Sequence, residues 1–225
     1  MSNVPYRSAI GALMYLAVCT RPDIAPAVHK LAKHVVNPGP AHWKATKGVM
    51  RYLQHTINFG LTLSGKGTPT LKIHVDASHG DKDQDGRSTT GMLCFLGPAL
   101  ISWTSVTQPC VARSTTEAEY IAASDAAREA IFLHRQAQEL GMPQPSVIIL
   151  EDNQGCIKIA NNDDGIKKRT KHIDVRYHHI KQLVRSGLIQ IKYCQTVNML
   201  ADIMTKPLNK TRFAKLRALL GIVRV

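Results

Sequence analysis

The chain has 225 residues, 44% hydrophobic and 5% aromatic, with 29 Lys/Arg against 16 Asp/Glu and a net charge of +13. That apolar fraction supports a packed core and excludes a globally disordered chain, while so few aromatics leave little stacking surface for single-stranded nucleic acid. No apolar run reaches the roughly 18 residues of a membrane span, and residues 1–6 lack a basic segment leading into an apolar stretch, so neither a membrane contact nor a signal peptide is expected.

Residues 8–19 read as an apolar helix, broken at Arg21-Pro22-Asp23, and Asp23 is expected to cap a second helix running to about Val36. Asn37-Pro38-Gly39-Pro40 is a strong turn signal, and a third helix follows over about 41–55. The pattern then changes. Leu71-Lys72-Ile73-His74-Val75 alternates as a strand ending at Asp76. Strands are expected over 90–96 and 99–104, then a long Ala-rich helix over 115–139. Val147 to Leu150 is a short strand running into Glu151-Asp152. A short helix, a basic loop, a helix over about 175–185, a strand over 188–193 and a last helix from near Asn198 complete the order. Three strands, a helix, a strand, helices, a strand and a helix predict an α/β fold with a mixed sheet, preceded by a small helical module.

Charge follows this division. Residues 1–62 carry seven Lys/Arg and one acid, 63–150 seven and nine, and 151–225 fifteen and six. A basic chain with an acidic middle suggests a polyanion binder whose acids gather for a purpose. The five cysteines, at 19, 94, 110, 156 and 194, form no C-x-x-C pair. Their spacing argues against zinc, and their odd number against a complete disulfide framework, so a reducing intracellular setting is expected.

Asp76 and Asp152 each stand at the carboxyl end of a predicted strand, where sites form in open α/β sheets. The long helix offers Glu117 and Glu119, which point about 200° apart and cannot both face one site. Glu119 shares its face with Ala122, Ala123, Ala126, Ala130 and Leu133, and Glu117 shares its own with Ser124, Arg128 and Arg135. So Glu119 is expected toward the sheet and Glu117 toward water. A carboxylate on a packing face is costly unless it binds something. With Asp202 in the last helix, four carboxylates could converge on magnesium, a cation that takes oxygen ligands.

The same stretches carry a resemblance. Ser8-Ala9-Ile10-Gly11-Ala12-Leu13-Met14-Tyr15-Leu16, Thr20-Arg21-Pro22-Asp23-Ile24 and Arg51-Tyr52-Leu53 come first. Val75-Asp76-Ala77, Arg87-Ser88-Thr89-Thr90-Gly91, Ile101-Ser102-Trp103 and Ser114-Thr115-Thr116-Glu117-Ala118-Glu119-Tyr120 follow. Asp152-Asn153-Gln154, Thr170-Lys171-His172-Ile173-Asp174-Val175-Arg176-Tyr177-His178 and Ala201-Asp202-Ile203-Met204-Thr205-Lys206-Pro207 complete the set. In this order they resemble the copia-type (Pseudoviridae) retrotransposon polyprotein, at the end of its reverse transcriptase and its ribonuclease H.

The resemblance implies a ribonuclease H-like fold with a mixed five-stranded sheet. It implies metal-dependent cleavage of the RNA strand of RNA–DNA hybrids, with two Mg²⁺ ions (or Mn²⁺) on Asp76, Glu119, Asp152 and Asp202. Residues 1–62 would be a thumb or connection remnant of the reverse transcriptase, 68–206 the ribonuclease H-like domain, and 207–225 a basic helix or tail. Partners would be the hybrid and the remaining polyprotein, and the setting a cytoplasmic virus-like particle or the nucleus. Ser78, Arg87, Ser114, Asn153 and the basic Lys167, Lys168, Arg169 and Lys171 are the candidate nucleic-acid contacts. Two departures stand out. Ser78-His79 replaces the usual Asp-Trp after the first acid, and Gln195-Thr196-Val197 stands where related enzymes carry a histidine. The first of them favours an alternative, a catalytically dead hybrid or RNA binder; a second alternative is a domain that only supports a polymerase, and the four intact acids argue against both.

Overall fold

The computed structural model describes residues 4–80, 86–161 and 171–225, except for the side chains of 171–175 and 177. In chain order the elements are α1 (Tyr6–Cys19), α2 (Ala25–Ala32), α3 (Pro40–His55), β1 (Phe59–Leu61), β2 (Leu71–Ser78), β3 (Thr89–Leu96) and β4 (Ala99–Thr107). Then come α4 (Thr115–Glu139), β5 (Val147–Glu151), α5 (Gln154–Asn161), α6 (Lys171–Arg185), β6 (Ile189–Tyr193), α7 (Asp202–Thr205), α8 (Lys210–Leu219) and β7 (Ile222–Arg224). They divide into two compact units, residues 1–63 with 207–225, and residues 64–206. No helix among the described residues is long and apolar enough to cross a membrane.

The first unit holds the three N-terminal helices, as the turn signals predict. Residues 207–225, expected as a helix or tail of their own, join this unit, because β7 pairs antiparallel with β1. Asp23 does not cap a helix, a correction to the sequence reading. It lies in a 3-10 turn, Pro22–Ile24, where the Arg21 guanidinium grips its carboxylate with two hydrogen bonds of 3.0 and 2.9 Å. The Tyr52 hydroxyl donates to the same carboxylate at 2.5 Å and accepts from Arg217 at 3.1 Å. A buried ion pair is costly to desolvate unless its remaining polar atoms are bonded, and these partners bond them.

The second unit has a ribonuclease H-like fold. Its five-stranded sheet runs β4-β3-β2-β5-β6, antiparallel through β4-β3-β2 and parallel through β2-β5-β6. Leu71, Ile73, Val75 and Ala77 alternate onto one face of β2 and join the core with Val147, Ile149, Ile189 and Ile191. The helix α4 lays Ala118, Ala122, Ala126 and Ala130 against that core, all fully buried. Side chains this short let a helix approach a sheet closely, and α4 packs on β2 with Glu119 at its sheet end.

The last helix expected from near Asn198 is broken. A 3-10 turn (Thr196–Asn198) precedes the four-residue α7, and Pro207 separates that from α8. α7 packs against the opposite face of β2 and β3. Gly91 on β3, directly across from Asp76, makes this possible. A Cβ there would lie 2.5 Å from Thr205 Cγ2 and 2.7 Å from Met204 Cβ. The Ser105 hydroxyl pins the other side, donating to the Met204 carbonyl at 2.7 Å.

Gly91→Ala is therefore expected to push α7 off the sheet. Overpacking of this kind costs about 1–3 kcal/mol, readable as a drop of several degrees in thermal midpoint. An unchanged midpoint would show that α7 sits there for another reason.

Candidate active site

Asp76 is fully buried and lies within β2, two residues before the strand ends, rather than at its last position. Asp152 follows β5 directly and is partly exposed. Glu119 reaches them from the first turns of α4, where its Oε2 accepts the Ala77 amide at 2.7 Å. One ligand atom from each of these three carboxylates lies within 4.8 Å of the others.

Asp202 is tied to this group through a cation. The Lys206 ammonium donates to Asp76 Oδ1 at 2.9 Å and to Asp202 Oδ1 at 2.7 Å. The Thr205 hydroxyl donates to the other Asp76 oxygen. So α7 and the residue after it bring Thr205 and Lys206 onto one strand carboxylate, with Asp202 joined to it through the lysine. Asp152 has its own holder, the Thr196 hydroxyl, at 2.8 Å.

The electrostatics are those of acids crowded out of water. Burial, then Glu151, Asp76 and Asp152, push the Glu119 carboxyl up to about 10. Glu151 is raised as well, chiefly by burial. It is fully enclosed, with Oε1 accepting the Asn153 amide at 3.1 Å and Oε2 without a hydrogen-bond partner among the described residues. Burial also raises Asp76, against the pull of Lys206 and Thr205. Burial disfavours the Lys206 ammonium, but Asp76 and Asp202 outweigh it and hold its pKa above that of a free lysine. A hard divalent cation fits this donor set, because carboxylate oxygens are its preferred ligands and it supplies the positive charge the buried acids lack.

The other expected contacts are scattered. Ser114 is the helix cap: its hydroxyl accepts the Glu117 amide at 3.1 Å, while Glu117 accepts the Arg113 amide at 2.9 Å. Glu117, expected to face water, is thus a half-buried capping residue, a correction explained by its place in the first turn. Asn153 caps α5, its side chain accepting the Cys156 amide at 3.0 Å. Ser78 is half-buried at the end of β2 and Arg87 is exposed before β3. His79, the second departure residue, makes a 3.2 Å hydrogen bond with the Ala112 carbonyl. Lys167, Lys168, Arg169 and the Lys171 side chain lie outside the described residues. All five cysteines are free.

The sequence reading did not single out Lys206, Thr205, Thr196 or Glu151. A trace of Lys206 was legible, since a lysine four residues after an acid meets it across one helical turn. The others had no local signal.

Along 222 residues the chain is 42% identical to the Retrovirus-related Pol polyprotein from transposon TNT 1-94 of Nicotiana tabacum, covering 99% of this chain and 17% of that protein. It is 39% identical over 223 residues to the corresponding polyprotein from transposon RE1 of Arabidopsis thaliana, covering 98% and 15%. The chain belongs to the copia-type retrotransposon Pol polyprotein family. It spans about one sixth of the length of these curated relatives. No family model matches it. Among solved structures, the foamy viral protease-reverse transcriptase in complex with dsDNA aligns with a TM-score of 0.52 at 13% identity, over 87% of this chain and 40% of that one. LC11-RNase H1 in complex with an RNA/DNA hybrid aligns with a TM-score of 0.45 at 16% identity, over 60% and 94%. At such identities a structural likeness concerns the fold alone.

The copia-type site makes a pH prediction. Folded Glu119 keeps its proton up to about 10, whereas an unfolded glutamate loses it near 4.5. Between those limits the folded state binds more protons, so this group's contribution to stability is full below that range and is lost as pH rises through it. In EDTA, the thermal midpoint of Glu119→Gln should gain on wild type as pH rises from 5 to 9. A difference independent of pH would contradict the crowding described above.

Proposed function

We propose that this copia-type chain is a metal-dependent endoribonuclease that cleaves the RNA strand of RNA–DNA hybrids during reverse transcription, in a cytoplasmic particle or the nucleus. The observation that carries the reading is the approach of Asp76, Glu119 and Asp152 at one end of a ribonuclease H-like sheet. These three would hold one divalent ion, and Asp76 with Asp202 a second; Mn²⁺ could replace Mg²⁺. When bound, the ions supply an activated water and charge stabilisation of the attacking and leaving oxygens.

The chain's own residues keep that apparatus in register. The β2 backbone fixes Asp76, and its neighbouring amide at Ala77 orients Glu119. Thr196 orients Asp152, leaving its other oxygen free of that bond. Asp202 sits on a four-residue helix and is read as the looser ligand, that of the second ion. Residues 1–62 are read as the thumb or connection end of a reverse transcriptase, and the basic 151–225 region, with fifteen Lys/Arg against six acids, as the main grip on the nucleic-acid backbone.

The test is cleavage of a labelled RNA–DNA hybrid in Mg²⁺ or Mn²⁺. Asp76→Asn and Asp152→Asn should abolish cleavage while preserving fold and hybrid binding. Asp202→Asn should weaken it and recover in part with Mn²⁺. Glu117→Gln should be nearly silent, because glutamine serves the same capping role. Binding without cleavage by the intact chain would establish the dead binder, for which Ser78-His79 is the motivating departure. Loss of both would leave the scaffold.

Hybrid affinity should also fall steeply with salt. Each phosphate contact contributes a slope of about −0.9 in log K against log salt. Replacing Lys167, Lys168, Arg169 and Lys171 by Ala should flatten that slope by up to about 3 to 4. An unchanged slope would put the phosphate contacts elsewhere.

A further inference from the structure

The four acids of the site fall into two sets that share Asp76. Asp76, Glu119 and Asp152 come within 4.8 Å of one another. Asp76 and Asp202 are instead joined by the Lys206 ammonium, at 2.9 and 2.7 Å. The second pair is where the nuclease reading needs its second ion, and a positive charge already stands there. Lys206 contacts one oxygen of each carboxylate, as a bridging cation would, and Thr205 takes the remaining Asp76 oxygen. Asp76 and Asp202 are 0% and 4% exposed at their side chains, so without a cation between them two buried charges would face each other.

The ammonium is also held from behind. Lys206 follows α7 directly, and its amide donates to the Asp202 carbonyl at 3.0 Å. α7 itself is fixed by Ser105 and by the close approach that Gly91 allows. The lysine stem is therefore anchored within a residue of the helix that carries Asp202. With its side chain 38% exposed, the head has an open way to solvent. It is a tethered charge, placed by the fold but able to leave.

We propose that Lys206 is a resident cation at the second-ion position, so that the free chain takes up one divalent ion and not two. This rests on the metal-dependent reading of the site. Lys206 is a positioning residue here: in the free chain it holds Asp76 and Asp202 together at their common point. The ion on Asp76, Glu119 and Asp152 shares Asp76 with the ammonium but takes its other ligands from Glu119 and Asp152, which the ammonium does not contact, so it binds without displacing it. A second ion has to evict the ammonium first.

The experiment counts ions and does not depend on turnover. The probe is Mn²⁺ alone, titrated into the full chain and followed by the spin-resonance signal of the free ion or by calorimetry. Wild type should bind one Mn²⁺ per chain, and Lys206→Arg, which keeps the charge, should bind one. Lys206→Met should bind two. Thermal unfolding in EDTA supplies a second measure: Lys206→Met should melt lower than wild type without metal, and Mn²⁺ should raise its midpoint more than it raises that of wild type. Two ions on wild type, or one on both wild type and Lys206→Met, would overturn the inference and leave the nuclease reading standing. No ion on any of the three would overturn that reading itself. If Lys206→Met does not fold, the wild-type count decides, one ion supporting the inference and two overturning it.

Discussion

A buried carboxylate on a central strand organises the second unit. Asp76 has no exposed side-chain surface, and such a group persists in ionised form only if its oxygens are engaged. Its partners come from 129 and 130 residues further along the chain, Thr205 and Lys206. To deliver them, α7 must lie flat on the sheet, which requires a residue without a side chain opposite Asp76. Gly91 is that residue. On the other face the same strand needs a helix close enough for Glu119 to reach the Ala77 amide, and the alanines of α4 provide the approach.

The consequence is a site in tension with its own stability. Glu119, Glu151 and Asp152 crowd one side of Asp76, and the first two are pushed strongly toward their neutral forms. Packing this many acids together opposes folding in the absence of a counter-charge. Lys206 relieves one side only, between Asp76 and Asp202, and the side facing Glu119 is relieved by no lysine or arginine contact recorded among the described residues. That asymmetry gives the two halves of the site different appetites for a cation. It also explains why Thr196 and Thr205 matter, since neutral hydroxyls can orient a carboxylate without competing for its charge.

The first unit shows the same economy applied to structure alone. Arg21 and Asp23, both buried, and the half-buried Tyr52 and Arg217 form a polar network drawn from three separate stretches of chain. Its hydrogen bonds join the turn between α1 and α2 to α3, and α3 to α8, and so help set how the helices meet. Arg217 also stacks over the Phe59 ring, 4.4 Å from its centroid. The copia-type stretches Thr20-Arg21-Pro22-Asp23 and Arg51-Tyr52-Leu53 are therefore legible as packing and not as chemistry.

Local patterning was enough to assign the strands β2 to β6, the long helix α4 and the order that makes the sheet mixed, because alternation and helical period are properties of neighbouring residues. It was also enough to choose Glu119 over Glu117, since the alanine face of α4 names the side that packs. It failed where distant segments decide. β1 and β7 are three residues each, too short to signal a strand, and exist because they pair with one another. The holding of Asp152 by Thr196 depends on a contact across 44 residues, and the Asp23 carboxylate, gripped by neighbouring Arg21, is also taken by Tyr52, 29 residues on. Lys206 is the clearest case: the sequence by itself supplied the acids, but only the tertiary structure put a cation between two of them, because charge pairing follows distance in space and not order along the chain.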